Sequence, residues 1–219
     1  MSDDKPLHTY PGEAIDVQWD GRLCIHIGEC GRAEGELFVG GRQPWCNPNL
    51  GGSPDEVAEV CRRCPTGALS YTRKDEGAAE QAPAENTVLV ANDGPLYFSG
   101  QLSIDGAAED MAAVGYRAAL CRCGASKNKP FCDNSHREIR FEDQGAVGSK
   151  GADSLEAGGP LEVKRAPNGP LLVNGSFTIV SGSGRPAWRG TRAALCRCGE
   201  SKNKPFCDGA HKAAGFQAD

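Results

Sequence analysis

Sixteen residues from Cys121 to His136, C-R-C-G-A-S-K-N-K-P-F-C-D-N-S-H, bring three thiols and one imidazole into a stretch too short to bury a core of its own. The spacing returns from Cys196 to His211 as C-R-C-G-E-S-K-N-K-P-F-C-D-G-A-H. Thiolate and imidazole are soft or borderline ligands for transition metals. Cys121, Cys123, Cys132 and His136 therefore read as one metal site, and Cys196, Cys198, Cys207 and His211 as a second. Three cysteines and a histidine are also a common zinc set, although zinc sites usually pair their cysteines as C-x2-C rather than as C-x-C followed by an eight-residue gap. Disulfides are the remaining way to staple such a segment, and a nucleophilic cysteine lacks an unligated histidine partner within the repeats.

The composition favours metal over disulfide. The chain has 29 Gly, 14 Pro and 6% aromatics in 219 residues, which describes small, loop-rich units rather than one large core. The opening M-S-D-D-K-P-L-H is acidic and polar, and no later run approaches the roughly 18 apolar residues of a membrane span. A cytoplasmic protein with no membrane association is expected, with its thiols kept reduced, and the odd total of 11 cysteines also argues against a fully paired framework. Residues 1–85 carry 8 bases and 15 acids, while residues 86–219 carry 16 bases and 14 acids. Neither half has the strongly basic face of a nucleic-acid binder.

The elements that must position these ligands follow in chain order. Ala14 to Trp19 alternates as a strand and leads into the loop Cys24-Ile-His-Ile-Gly-Glu-Cys30. Ser53-Pro54-Asp55-Glu56 has the form of a capping box opening a helix that runs to about Arg63. Val57, Val60, Cys61 and Cys64 share one face of it, so both cysteines are expected to point inward, and Pro65 ends it. From Arg73 to Asn86 the chain reads as a polar linker. Beyond it, a shift of 75 residues superposes Gly94-Pro-Leu on Gly169-Pro-Leu, Arg117-Ala-Ala-Leu on Arg192-Ala-Ala-Leu, and every ligand of the two segments. Short apolar stretches at 88–90, 96–98 and 102–104, and again at 171–173 and 177–180, read as hairpin strands. Gln144 to Pro160 reads as the connecting loop. Asp133 and Asp208 read as caps of a short helix whose positive end would face the metal site.

Two resemblances follow from these motifs. Cys24 and Cys30, with the distant Cys64-Pro65, resemble a single-cluster bacterial ferredoxin over residues 11–72, except that Ile27 stands at the middle cysteine position. That resemblance implies a [3Fe-4S] or [4Fe-4S] cluster on Cys24, Cys30 and Cys64. Cys61 reads as a buried small hydrophobe within reach of the cluster, Cys46 as incidental, and the lone His26 as unligated. The repeated segment resembles the CDGSH iron–sulfur domain family, the mitoNEET type, in which three cysteines and one histidine hold a [2Fe-2S] cluster in a homodimer. Asn134 and Ala210 depart from its pattern at non-ligand positions.

The expected fold is α+β: a small ferredoxin-like domain at 1–75, then two β-rich CDGSH-type domains at 86–145 and 161–219, arranged as an intramolecular pseudo-dimer within a monomer. The expected function is electron transfer with a redox partner protein, through two [2Fe-2S] clusters and one larger cluster. The alternative is a module that stores, transfers or senses clusters and hands them to an apo iron–sulfur acceptor. No catalytic residues are expected, and the chain does not read as an enzyme.

Overall fold

The alternation around Ile15 and Val17 forms a strand, one residue further on than the pattern suggests. In the computed structural model, which describes residues 7–156 and 158–218, β1 (Leu7–Tyr10) pairs antiparallel with β2 (Ile15–Asp20), and β2 pairs antiparallel with β3 (Leu69–Arg73). The helix α1 (Pro54–Arg63) lies against this sheet. Its capping box is complete, with the Ser53 hydroxyl accepting from the Glu56 N–H and the Glu56 carboxylate accepting from the Ser53 N–H at 2.7 Å. Val57, Val60 and Cys61 face Ile15, Val17, Phe38 and Leu69 in the core. Cys61 is fully buried as expected, but Cys64 is only half-buried. The residue before a proline is pushed out of the helical region, and Cys64 is extended (φ −66°, ψ 109°), so the chain leaves the helix there.

These elements belong to a compact unit, Met1–Gln81, and the remainder forms a second, Ala82–Asp219. The polar stretch between them begins inside β3, where Arg73 is held by Asp55 and Asp75, each at 2.6 Å.

The second unit is mostly β with few helices. The first copy supplies β4 (Thr87–Val90), β5 (Leu96–Ser99), β6 (Gln101–Ile104), β7 (Arg117–Leu120) and the short helix α2 (Ser135–Glu138). The second supplies β8 (Pro160–Arg165), β9 (Leu171–Val180), β10 (Pro186–Leu195) and the short helix α3 (Ala210–Ala213). The two stretches expected at 171–173 and 177–180 are thus one continuous strand. In the first copy the buried Asn86 intervenes: its side-chain Oδ1 accepts from the Gln101 N–H at 2.9 Å, and its side-chain Nδ2 donates to the Gly159 and Ser176 carbonyls. The strand breaks at Gly100, where a side chain would strike that same oxygen.

All seven strands share one sheet, ordered β6-β8-β9-β4-β5-β7 with β10 also on β9. Its two parallel contacts join the copies reciprocally. β6 of the first copy pairs with β8 of the second, and β9 of the second pairs with β4 of the first. The register repeats as well, since Ser103–Glu162 and Ile104–Val163 become Thr178–Thr87 and Ile179–Val88 under the shift of 75 residues. The copies meet a second time where Cys123 and Cys198 form an antiparallel backbone bridge.

The two Cys-x-Cys loops touch through glycines. Gly124 has a left-handed φ of 83°, and a Cβ there would lie 2.4 Å from the Cys198 carbonyl oxygen. Gly209 has a similar φ of 88° but open space around it. In Gly209→Ala only the left-handed conformation is penalised, by about 1–2 kcal/mol. In Gly124→Ala overpacking adds about 1–3 kcal/mol. Chemical denaturation of the two holo variants should therefore show the larger loss for Gly124→Ala, and equal losses would contradict the loop contact.

Candidate metal centres

Each repeated segment begins at the end of a strand, β7 in the first copy and β10 in the second. All four residues of β7 are buried, and the Cys121 N–H donates to the Pro130 carbonyl at 2.8 Å while the Cys132 N–H donates to Ala119 at 2.9 Å. Cys196 and Cys207 repeat these bonds to Pro205 and Ala194 at 2.7 and 2.8 Å. The eight-residue gap is pinned from within. Ser126 donates to the Phe131 carbonyl at 2.7 Å, and the Asp133 carboxylate accepts from the Lys127 and Ser135 N–H groups at 2.8 and 3.0 Å. Ser201 and Asp208 do the same for Phe206, Lys202 and Ala210.

The acidic residues do not sit at the cap position itself. Asn134 and Gly209 occupy it with left-handed φ angles of 74° and 88°, a conformation that glycine adopts freely and asparagine tolerates. That accounts for the N/G variation between the copies. The helices have four residues each, too few for a substantial dipole, so positive charge near the sites comes from side chains. Arg122, 1% exposed, donates to the Gly94 carbonyl at 2.7 Å, to the Asp143 carboxylate at 2.5 Å and to the Ala91 carbonyl. Arg197, equally buried, donates to the Gly169 and Ala166 carbonyls at 2.9 and 2.8 Å. Each lies over an aromatic ring of its own copy, Arg122 at 5.0 Å from Phe141 and Arg197 at 5.4 Å from Phe216. Each ring also receives a lysine from the other copy, Lys204 over Phe141 and Lys129 over Phe216, both at 5.9 Å.

The donors stand in pairs. Cys121 and Cys123 sulfurs are 3.7 Å apart, and the Cys132 sulfur is 3.4 Å from His136 Nδ1. The second copy repeats both distances with Cys196, Cys198, Cys207 and His211. Two thiolates on one tetrahedral metal at about 2.3 Å would sit roughly 3.8 Å apart, so each pair fits a metal of its own. Among the described residues, no three histidine, cysteine or carboxylate side chains gather as the shell of a single ion. Two adjoining pairs suit a binuclear centre with ligation through His Nδ1.

Protonation follows burial. Burial pushes the Cys132 thiol up to about 12 and Cys198 up to about 11. Cys123 is drawn down to about 7, chiefly by the thiol of Cys121, which is itself raised by that hydrogen bond and by burial. A bound metal replaces these protons on the thiols. His136 lies below the ordinary imidazole value because burial, and then the Arg137 charge, disfavour its protonation. The stabilisation from holding this ring neutral is complete above about 6.5 and is lost as pH falls through the depressed value.

In the first unit Cys24, Cys30 and Cys64 line one cavity of about 370 Å³. Cys24 lies in the loop after β2, Cys30 starts a turn of 3-10 helix, and Cys64 follows α1. Burial raises the Cys30 thiol, with the neighbouring Cys64 and Cys24 adding to it. Cys46 and Cys61 are instead in the apolar core, 1% and 0% exposed. His26, read from sequence as unligated, lines the same cavity. Its signal was the Cys24-x-His26 spacing, which repeats the one-residue separation of the C-x-C pairs.

Comparison with known proteins matches these sites. Residues 93–137 and 168–212 match the iron-binding zinc finger of CDGSH type, and residues 10–74 match the divergent 4Fe-4S mono-cluster family. Uncharacterized protein YjdI of Escherichia coli strain K12, and its counterpart in Escherichia coli O157:H7, are each 41% identical over 76 residues, covering 32% of this chain and 92% of the relative. Among the described residues no helix is long and apolar enough to cross a membrane.

The two repeated sites differ in access. Cys132 and His136 are 3% and 7% exposed, whereas Cys207 and His211 are half-buried. Acid should therefore bleach the second centre at a higher pH than the first. In an absorbance titration, His211→Cys should remove the earlier phase and His136→Cys the later one, and the reverse assignment would contradict the burial argument.

Proposed function

Because the chain belongs to the CDGSH-type iron-binding family, with two such domains behind a divergent 4Fe-4S mono-cluster domain, we propose that it is a three-cluster electron carrier rather than an enzyme. In this reading Cys121, Cys123, Cys132 and His136 hold one [2Fe-2S] cluster, Cys196, Cys198, Cys207 and His211 hold another, and Cys24, Cys30 and Cys64 hold a four-iron cluster. A cluster at each repeated site supplies a one-electron couple, made easier to reduce by imidazole in place of one thiolate. The observation that carries the proposal is the backbone bridge between Cys123 and Cys198, which puts one ligand of each site side by side. The reciprocal strand pairing supports an intramolecular pseudo-dimer, complete in one chain.

The residues around each site suit this role. The Cys-x-Cys turns are fixed by backbone bonds and by buried arginines, so little structure has to move as charge changes. Nδ1 of each histidine faces its cysteine partner, leaving Nε2 as the atom at which a proton is taken up or released. The carrier works in the cytoplasm with a redox partner protein.

A second reading, delivery of a cluster to an apo acceptor, is favoured for the second site because Cys207 and His211 are half-buried where Cys132 and His136 are buried. The two separate kinetically. Electron exchange with a reductase should outpace transfer of intact clusters to an apo-ferredoxin, and the opposite order would rule out the carrier reading. In the same preparations His136→Cys and His211→Cys should each lower the potential of their own cluster, on the order of 100 mV or more.

A further inference from the structure

A four-iron cube presents four corners to its protein, and the first unit offers three thiols to it. Cys24, Cys30 and Cys64 all line the cavity of about 370 Å³. The two other cysteines of the unit do not line it. Cys46 forms a backbone bridge with Phe38, and Cys61 lies on the buried face of α1 among Val57, Ala58 and Val60. At the position where a ferredoxin-type loop would carry its middle cysteine stands Ile27, 38% exposed.

The loop brings a different donor to the same wall. His26 lines the cavity, and its Nδ1 stands 3.9 Å from the Cys24 sulfur. Its backbone is left-handed, with φ of 53°. An L residue gives up about 1–2 kcal/mol to adopt that conformation, and Gly28, two residues on, shows that the turn accepts glycine nearby with φ of 93°. Glu29 also lines the cavity, but a carboxylate is a poorer match to iron–sulfur chemistry than imidazole.

We propose that His26 is the fourth ligand of the N-terminal cluster, making it a four-iron centre held by Cys24, Cys30, Cys64 and one imidazole. The proposal rests on the reading that this unit holds a four-iron cluster. All three centres of the chain then share one formula of three thiolates and one histidine. The fourth ligand is the most exposed of the set, since His26 is exposed and the three cysteines are half-buried. The iron it holds is therefore the one most open to solvent and the first to be lost.

The test uses the full chain, loaded anaerobically with 57Fe, and compares wild type with His26→Gly and His26→Cys by Mössbauer and electron paramagnetic resonance spectroscopy. His26→Gly deletes the imidazole while relaxing the left-handed backbone, so a folding defect is not built into it. The two [2Fe-2S] signals serve as an internal measure of folding and loading. His26→Gly should lose one iron in four from the N-terminal centre as Fe2+, leaving a reduced three-iron cluster that shows the oxidised three-iron signal once ferricyanide has removed one electron from it. His26→Cys should keep four irons and lower the potential of that centre alone. A four-iron cluster unchanged in type and potential in His26→Gly overturns the His26 assignment but leaves the cluster reading standing. A wild-type chain with no four-iron cluster overturns both.

Discussion

Reciprocal parallel pairing between the copies is the constraint on which the second unit depends. Among the described residues β6 has no antiparallel partner in its own copy and pairs with β8 of the other, while the equivalent segment of β9 pairs with β4. Parallel strands cannot be joined by a tight turn, so these contacts are closed only when both copies are present. Ile104 and Ile179 are buried at those seams, and a single copy would leave both the edge and its apolar residues open to water. The Cys-x-Cys loops stand on this frame. Their mutual bridge at Cys123 and Cys198 leaves room only for glycine at 124 and 199.

The same reciprocity organises charge. Phe141 has both Arg122 of its own copy and Lys204 of the other within reach of its ring, and Phe216 has Arg197 and Lys129. A ring face attracts cations more strongly when they are desolvated, and both arginines are buried. The arrangement therefore ties the chain after each short helix to both metal-binding segments at once.

Local chemistry was legible in the sequence, and long-range pairing was not. Ser53 and Glu56 announced the start of α1 because a capping box involves residues three apart, and the ligand pairs of each repeat lie within two to four residues. The strand exchange could not be read, because each copy carries the same apolar pattern and alternation does not say which copy a strand pairs with. Cys64 follows the periodicity of α1, yet the proline after it turns it out of the helix and onto the cavity. His26 was discounted as a lone histidine because the sequence does not show that Cys64, 38 residues on, closes the same cavity. The count of separate cores was also hidden, since the two copies share one sheet.

Linking two copies in one chain does more than hold them together. In a homodimer a two-fold axis makes the paired sites identical. A tandem chain frees each site to change alone, while the linker keeps the partner at high effective concentration. This chain has used that freedom around conserved ligands. Asn134 corresponds to Gly209 under the shift of 75 residues, and Asp143, which pairs with Arg122, corresponds to Ala218, whose carbonyl accepts from Arg197 at 3.2 Å. His136 is buried where His211 is half-exposed. Exposure raises the local dielectric around a charged centre and opens it to protons. In the proposed carrier, two centres of one ligand formula, touching through their loops but differently wetted, need not share a potential, and an inequality of potential would give electron flow between them a direction.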